Sequence, residues 1–431
     1  MLKLLAASFL VSISGLVAAA TLPDQMPQRT LGVGSCASSL CHGAVETWTK
    51  SRVLQNEYVT WSRMDKHARA YTVLHNKLSQ QIATNLKLAK PAHEAPECLG
   101  CHTHYVPEKL RGERYRISDG VSCEACHGPA ERYVRSHVER GASRKDNIAR
   151  GLYPTADPVA RAQLCLSCHF GNEQKFVTHK IMAAGHPRMS FELDTFTQIQ
   201  PPHYRSDARQ VWDGVRTWAI GQALAAHEIL DILNHPKRGR DGLFPELVLF
   251  DCHSCHHPMR DRREAGNRLG VGPGVMRLND SSLLMLRQIV RIASPQSAEA
   301  FSQQVTRFHR SVAGGDDALA QARALQKMIA QLIPAIGAYP FGPEDLRTIL
   351  VGLVDDGLAG QYSDYHGAEQ AVMGVQSVAD FMQKRGLIRS ASIAQSMKRL
   401  LTAVAHDEKY RAATFQDALR DLKSSIAPVA Q

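Results

Sequence analysis

The chain has 431 residues, of which 51 are basic and 41 acidic, giving a formal net charge of +10, and 44% of it is apolar. After the first twenty residues no long apolar run exists, which excludes further membrane spans and makes the mature chain an expected soluble protein. The positive excess taken alone would suit a nucleic acid or a membrane surface, but the cysteine pattern brings its own counter-charge.

Residues 1–20 read as a secretory signal peptide. Lys3 supplies the positive start, Leu4 to Val17 are apolar or small, and Ala18-Ala19-Ala20 offers a cleavage site before Thr21. An uncleaved N-terminal anchor is the alternative. The expected location is periplasmic, with membrane association peripheral at most.

Ten cysteines follow, in five close pairs, each pair followed at once by histidine: Cys36-Cys41-His42, Cys98-Cys101-His102, Cys123-Cys126-His127, Cys165-Cys168-His169 and Cys252-Cys255-His256. Histidine makes up 20 of 431 residues, so five hits in five by chance is on the order of one in several million. Four pairs read C-x-x-C-H, the signature of covalent haem c attachment. The first, with four residues between its cysteines, needs a wider loop. In this chemistry the two thiols form thioethers with one porphyrin, and the adjacent histidine becomes the proximal ligand of its iron. Disulfides and zinc are the rival uses of paired cysteines in an exported chain. Neither gives a reason for histidine after every pair. The expected cofactor is therefore haem c, five copies, or four if the wider first site is not used. Five haems carry roughly −5 to −10 in propionate and iron charge, which brings the holoprotein near neutrality. No nucleic-acid partner is inferred.

The expected fold class is mainly α. A loop-rich multihaem domain at 21–280 has short helices packed around stacked haems, and a helical C-terminal domain follows at 281–431. Glu57 to Ser79 can form one helix, bearing His67 and His75; Glu131 to Arg140 can form another, bearing His137. The longest is Asp207 to Leu233, with Val211, Val215 and Trp218 at three-to-four spacing. Residues 260–279 are basic and glycine-rich, as in a linker. Beyond them the expected helices are 281–293, 297–312, 316–332, 343–357, 367–384, 390–405 and 412–425. No strand pattern of useful length is present.

The other fifteen histidines decide whether each iron is closed by a second imidazole or left open. Candidate distal ligands are His67, His137, His186 (on the turn Gly185-His186-Pro187-Arg188), His227 in the long helix, and His257 directly after the last proximal histidine. His75, His93, His104, His179, His203, His235 and His253 form a reserve. His309, His366 and His406 are expected to be ordinary core or surface histidines.

The segment from Asp119 through Cys123-Glu124-Ala125-Cys126-His127-Gly128-Pro129 to Ala130 resembles the hallmark haem segment of the cytochrome c-554 group of multihaem cytochromes. So do Gly185-His186-Pro187-Arg188 with Ser190-Phe191-Glu192-Leu193, and Asp251 to His257. The resemblance covers roughly residues 30 to 260. It implies a periplasmic cytochrome with closely stacked, mostly bis-histidine haems, moving electrons between a donor and an acceptor protein. This chain departs from the tetrahaem prototype in having a fifth site and a C-terminal helical region. That region is a candidate docking module for a membrane-bound electron-transfer complex. The leading expectation is an electron carrier rather than an enzyme. The alternative is an oxidoreductase for a small inorganic nitrogen or sulfur compound at a haem with an open sixth position. The C-x-x-C-K motif of the pentahaem nitrite reductases is absent.

Overall fold

The computed structural model describes residues 20–50, 53–205, 213–241, 244–256, 277–314 and 317–426. Residues 1–19 of the expected signal peptide, the candidate ligand His257 and nearly all of the glycine-rich segment fall outside them.

The region before residue 205 is built from short helices and turns. They are α1 (Glu57–Met64), α2 (Ala70–Val73), α3 (Lys77–Asn85), α4 (Pro96–His102), α5 (Cys123–His127), α6 (Arg144–Ala149), α7 (Pro158–His169), α8 (His179–Ala183) and α9 (Leu193–Ile199). The single helix expected over 57–79 is broken twice. The Asp65 carboxylate accepts the His67 N–H at 3.0 Å, and Asn76 accepts the Ser79 N–H at 2.8 Å. Both side chains satisfy orphan donors at a fresh helix start, so each restarts the helix in a new direction. The helix expected over 131–140 is likewise replaced by two 3-10 turns, Ala130–Arg132 and Ser136–Val138. The Tyr133 hydroxyl donates to the His127 and Gly128 carbonyls (3.2 and 2.9 Å). That ties the segment to the preceding haem motif.

α10 (Gly214–Asn234) is the axis of the molecule. Asp213 caps it by accepting the Arg216 N–H at 3.0 Å; most of the expected start from Asp207 lies outside the described residues. A two-residue hairpin follows, Arg240–Asp241 paired antiparallel with Phe244–Pro245.

The C-terminal helices are α11 (Ser281–Ala293), α12 (Pro295–Gly314), α13 (Ala318–Ala338), α14 (Pro343–Leu358), α15 (Tyr365–Lys384), α16 (Ser390–Ala403) and α17 (Ala412–Ile426). Strong apolar periodicity fixes them close to the expected bounds. α13 alone runs well past its expected end. It continues through Pro334 because Ile333 and Ile336 are buried in the core, offsetting the lost hydrogen bond and ring clash of an internal proline.

One apolar core joins these helices to α7, α9 and α10, running from Ala162 and Leu166 through Leu193 and Trp218 to Leu422. Trp218 is fully buried. Gly374 of α15 lies so close that a β-carbon there would sit 3.0 Å from its indole. The core therefore crosses residue 280 without a break. Among the described residues a second, small cluster lies in the N-terminal part: Leu74, Ala83, Ala92 and Leu99.

Candidate haem-binding centre

Each attachment segment is held in its own way. At the first, the His42 N–H closes on the Cys36 carbonyl at 3.1 Å, making the wide loop a compact turn. The second and third lie on α4 and α5. The fourth ends α7, which starts at Pro158 behind Asp157; that carboxylate accepts the Val159 and Ala160 N–H groups. The fifth is a 3-10 turn capped by Asp251, with the His256 N–H on the Cys252 carbonyl at 2.8 Å.

The segments abut one another. The Cys101 and Cys168 thiols are neighbours, and each shifts the ionisation of the other. Burial pushes the Cys123 thiol up to about 12, with the neighbouring Cys36 adding to the shift. Burial likewise pushes up Cys126, and Cys165 adds to it. Glu124, inside the third motif, is buried and accepts the N–H groups of Leu31, Gly32 and Ala130 at 2.7 to 2.9 Å. This fastens the strand entering the first motif to the third.

The histidines after the cysteines face other histidines. Ring centres are 6.3 Å apart for His42 and His137, 6.0 Å for His169 and His67, 6.2 Å for His127 and His203, and 6.1 Å for His256 and His179. A metal-bound imidazole nitrogen lies about 2 Å from the metal, with its ring centre about 1.2 Å beyond, so two rings on opposite sides of one iron have centres about 6.3 Å apart. All four separations fit that span. Among the described residues no three His, Cys, Asp or Glu side chains converge on one point. Donors arranged in twos suit an iron whose other four ligands come from a porphyrin.

Hydrogen bonding agrees with this use. Nδ1–H donates to oxygen in His42 (Glu57, 2.9 Å), His67 (Asp65, 2.9 Å), His102 (Ala70 carbonyl, 3.0 Å), His137 (Tyr133 carbonyl, 3.1 Å), His186 (Pro187 carbonyl, 2.8 Å) and His203 (Pro201 carbonyl, 3.3 Å). Each bond fixes the tautomer that leaves Nε2 free to bind metal and orients the ring. Burial holds His127 and His169 down to about 4, so both are neutral donors at pH 7. His169 also stacks on Phe191, centres 4.6 Å apart. Gly120 helps place His67: the Val121 N–H donates to the His67 carbonyl at 3.1 Å. Gly120 has φ +65°, and a β-carbon on it would lie 2.7 Å from that carbonyl.

Of the distal candidates, His67 and His137 stand opposite attachment-site histidines. His186 is the imidazole whose charge bears on His102. His227 does not stand opposite one; its ring lies 3.6 Å from Glu228. His179 and His203, from the reserve, do stand opposite attachment-site histidines. The signal that could have found His203 is the preceding Pro201, whose carbonyl is positioned to take its Nδ1 proton. His75 and His93 stack on each other at 4.2 Å, too close to flank an iron. His104 is buried with Nε2 3.3 Å from the Thr30 hydroxyl, and burial holds it down to about 4. His235 Nδ1 accepts the Lys237 and Arg238 N–H groups, and buried His253 lies edge-on to Tyr365. His366 was expected to be an ordinary histidine, yet it lies 3.7 Å from Asp251 and hydrogen-bonds Cys252. His309 sits 3.4 Å from buried Asp280, and His406 is exposed.

Among the described residues no helix is long and apolar enough to cross a membrane. Residues 36–128 match the family Cytochrome c554 and c-prime, whose members are typically periplasmic and work with redox partners. The match spans the first three attachment motifs. No curated protein and no solved structure matches the chain. The chain is a c-type cytochrome that resembles the cytochrome c554 and c-prime family, and its general role is electron transfer.

Proposed function

We propose that this protein is an exported pentahaem electron carrier of the periplasm, passing electrons from a donor protein to an acceptor. Haem c would be held by Cys36 and Cys41, Cys98 and Cys101, Cys123 and Cys126, Cys165 and Cys168, and Cys252 and Cys255. The proximal ligands would be His42, His102, His127, His169 and His256. The observation that carries the reading is the set of four imidazole pairs at 6.0 to 6.3 Å, each containing one attachment-site histidine. When bound, the haems supply one-electron iron chemistry. In those four pairs the chain would hold two imidazoles ready for one iron, so little would need to move between oxidation states. His42 and His67 each give an Nδ1 proton to a carboxylate, which raises ligand basicity and favours the ferric state. The adjoining cysteines of the first four motifs support close haem spacing.

Intact mass of the protein purified from the periplasm tests the haem number and the cleavage together. The expected value is the chain from Thr21 plus five haems. A chain plus four haems would remove the Cys36–Cys41 site, and a mass retaining residues 1–20 would remove the cleaved signal peptide.

A second reading has one observation in its favour. Among the described residues His102 has no imidazole facing it at the separation of the other four pairs. An open sixth position, and with it an oxidoreductase acting on a small inorganic compound, belongs at that haem if anywhere. Binding of carbon monoxide to about one of five reduced haems would support this alternative.

A further inference from the structure

The C-terminal helices carry no attachment motif, yet the start of α15 reaches the fifth attachment segment, the Phe191 that stacks on His169, and the His186 turn. Arg277 lies between Asp251 of the fifth segment and Asp364, which caps α15. Gln370 donates to the Phe191 carbonyl at 3.0 Å, beside the ring stacked on His169. Between these, Glu369 takes both Arg188 guanidinium N–H groups at 2.8 and 3.0 Å. The Tyr365 ring lies under the same guanidinium, 4.9 Å away. The Tyr365 hydroxyl in turn donates to Glu369 and to the Val404 carbonyl. Both partners of the ion pair are largely buried. A bidentate, stacked arginine pair of this kind fixes direction as well as distance.

Arg188 is two residues from His186. On the other side of that turn, Asn85 of α3 donates to the Ala184 carbonyl at 2.9 Å. Ala83 of α3 shares a small apolar cluster with Leu99 of α4, the helix that carries His102. The His186 turn thus has one anchor in the haem region and one in the C-terminal helices. Gly185, at φ +118°, gives it no stiffness of its own.

We propose that Glu369 and Tyr365 are positioning residues for His186, and that through Arg188 the C-terminal helices set whether the haem on Cys98, Cys101 and His102 is six-coordinate. This rests on His186 being the second ligand of that haem. The C-terminal region then has a role inside the cytochrome itself: it holds the His186 turn in place beside the segment that carries His102.

The test is ferric EPR of the full holoprotein, with carbon monoxide binding to the reduced form as a second readout. His186→Ala should move about one haem in five from low to high spin. Glu369→Ala should give roughly half of that change or more, and Glu369→Gln, which keeps one acceptor oxygen, should fall between it and the unaltered protein. A spin change in His186→Ala with none in Glu369→Ala overturns the clamp but keeps His186 as ligand. No change in His186→Ala overturns both. Should Glu369→Ala lose helix content by circular dichroism, Arg188→Lys keeps the charge but not the fork. High spin in that variant supports the clamp, and an unchanged spin state contradicts it.

Discussion

The two halves of this chain reach order by different means. From Ser281 onward, amphipathic helices bury leucine, isoleucine, valine and phenylalanine in one continuous core with α10. Before residue 205 the helices are short, and among the described residues the core cluster outside that continuous core is small. Of the exposed large apolar side chains among the described residues, all but Val351 and Leu401 lie ahead of residue 205, including Leu40, Val45, Trp48, Val138 and Tyr204. Apolar surface on this scale in one half only needs a cover. A porphyrin at each attachment motif there would supply it, so the first half would draw on its cofactor for a core far more than the second.

The largest expected effect follows directly. The full chain produced without haem attachment should lose protection over the residues ahead of α7 in limited proteolysis, leaving a resistant fragment that starts near α7. Uniform protection of the whole chain would break the comparison. Within the second half, Trp218→Ala should cost about 3–5 kcal/mol in denaturant unfolding, since it empties a fully buried site. Gly374→Ala, which drives a methyl group into the same indole, should cost about 1–3 kcal/mol. In the first half, Glu57→Gln removes the carboxylate that orients His42. One of the reduction midpoints should rise by tens of millivolts in redox titration, with the others unmoved.

The smallest effect is a pH dependence at the seam of the two halves. Glu192 caps α9 from inside the core; burial, then the neighbouring Asp194, raises its pKa from 4.5 to about 7. A raised folded-state value means the folded protein holds this proton more tightly than the unfolded chain does. The contribution is full below about pH 4.5 and is lost as pH rises through about 7. Thermal midpoints of the unaltered protein should therefore fall relative to those of Glu192→Gln across that window. Parallel curves would place the carboxylate in a wetter site.

The same contrast explains what could be read without coordinates. The cytochrome character is legible because thioether chemistry demands two cysteines and a histidine within a few residues. The C-terminal helices are legible because burial repeats every three to four positions; Ser281–Ala293 falls where its pattern places it. The breaks at Asp65 and Asn76 were hidden because a polar side chain that caps a new helix also fits the exposed face of a continuous one. The imidazole pairings were hidden for another reason. His179 and His256 are 77 positions apart, and His67 and His169 are 102 apart; no local spacing encodes such meetings. His366 was read as ordinary because its partners, Asp251 and Cys252, lie more than a hundred positions away.

The central claim is that histidine pairs brought together by the fold close most of the irons. Ferric EPR of the holoprotein at liquid-helium temperature tests it most directly, because low-spin signals report the angle between axial imidazole planes. His42 and His137 are near parallel at 12°, and His67–His169 and His127–His203 are near perpendicular at 86° and 88°. The account predicts a rhombic low-spin signal from the first pair together with highly anisotropic low-spin signals from the other two. A spectrum dominated by high-spin iron, or low-spin signals of a single type, would contradict it.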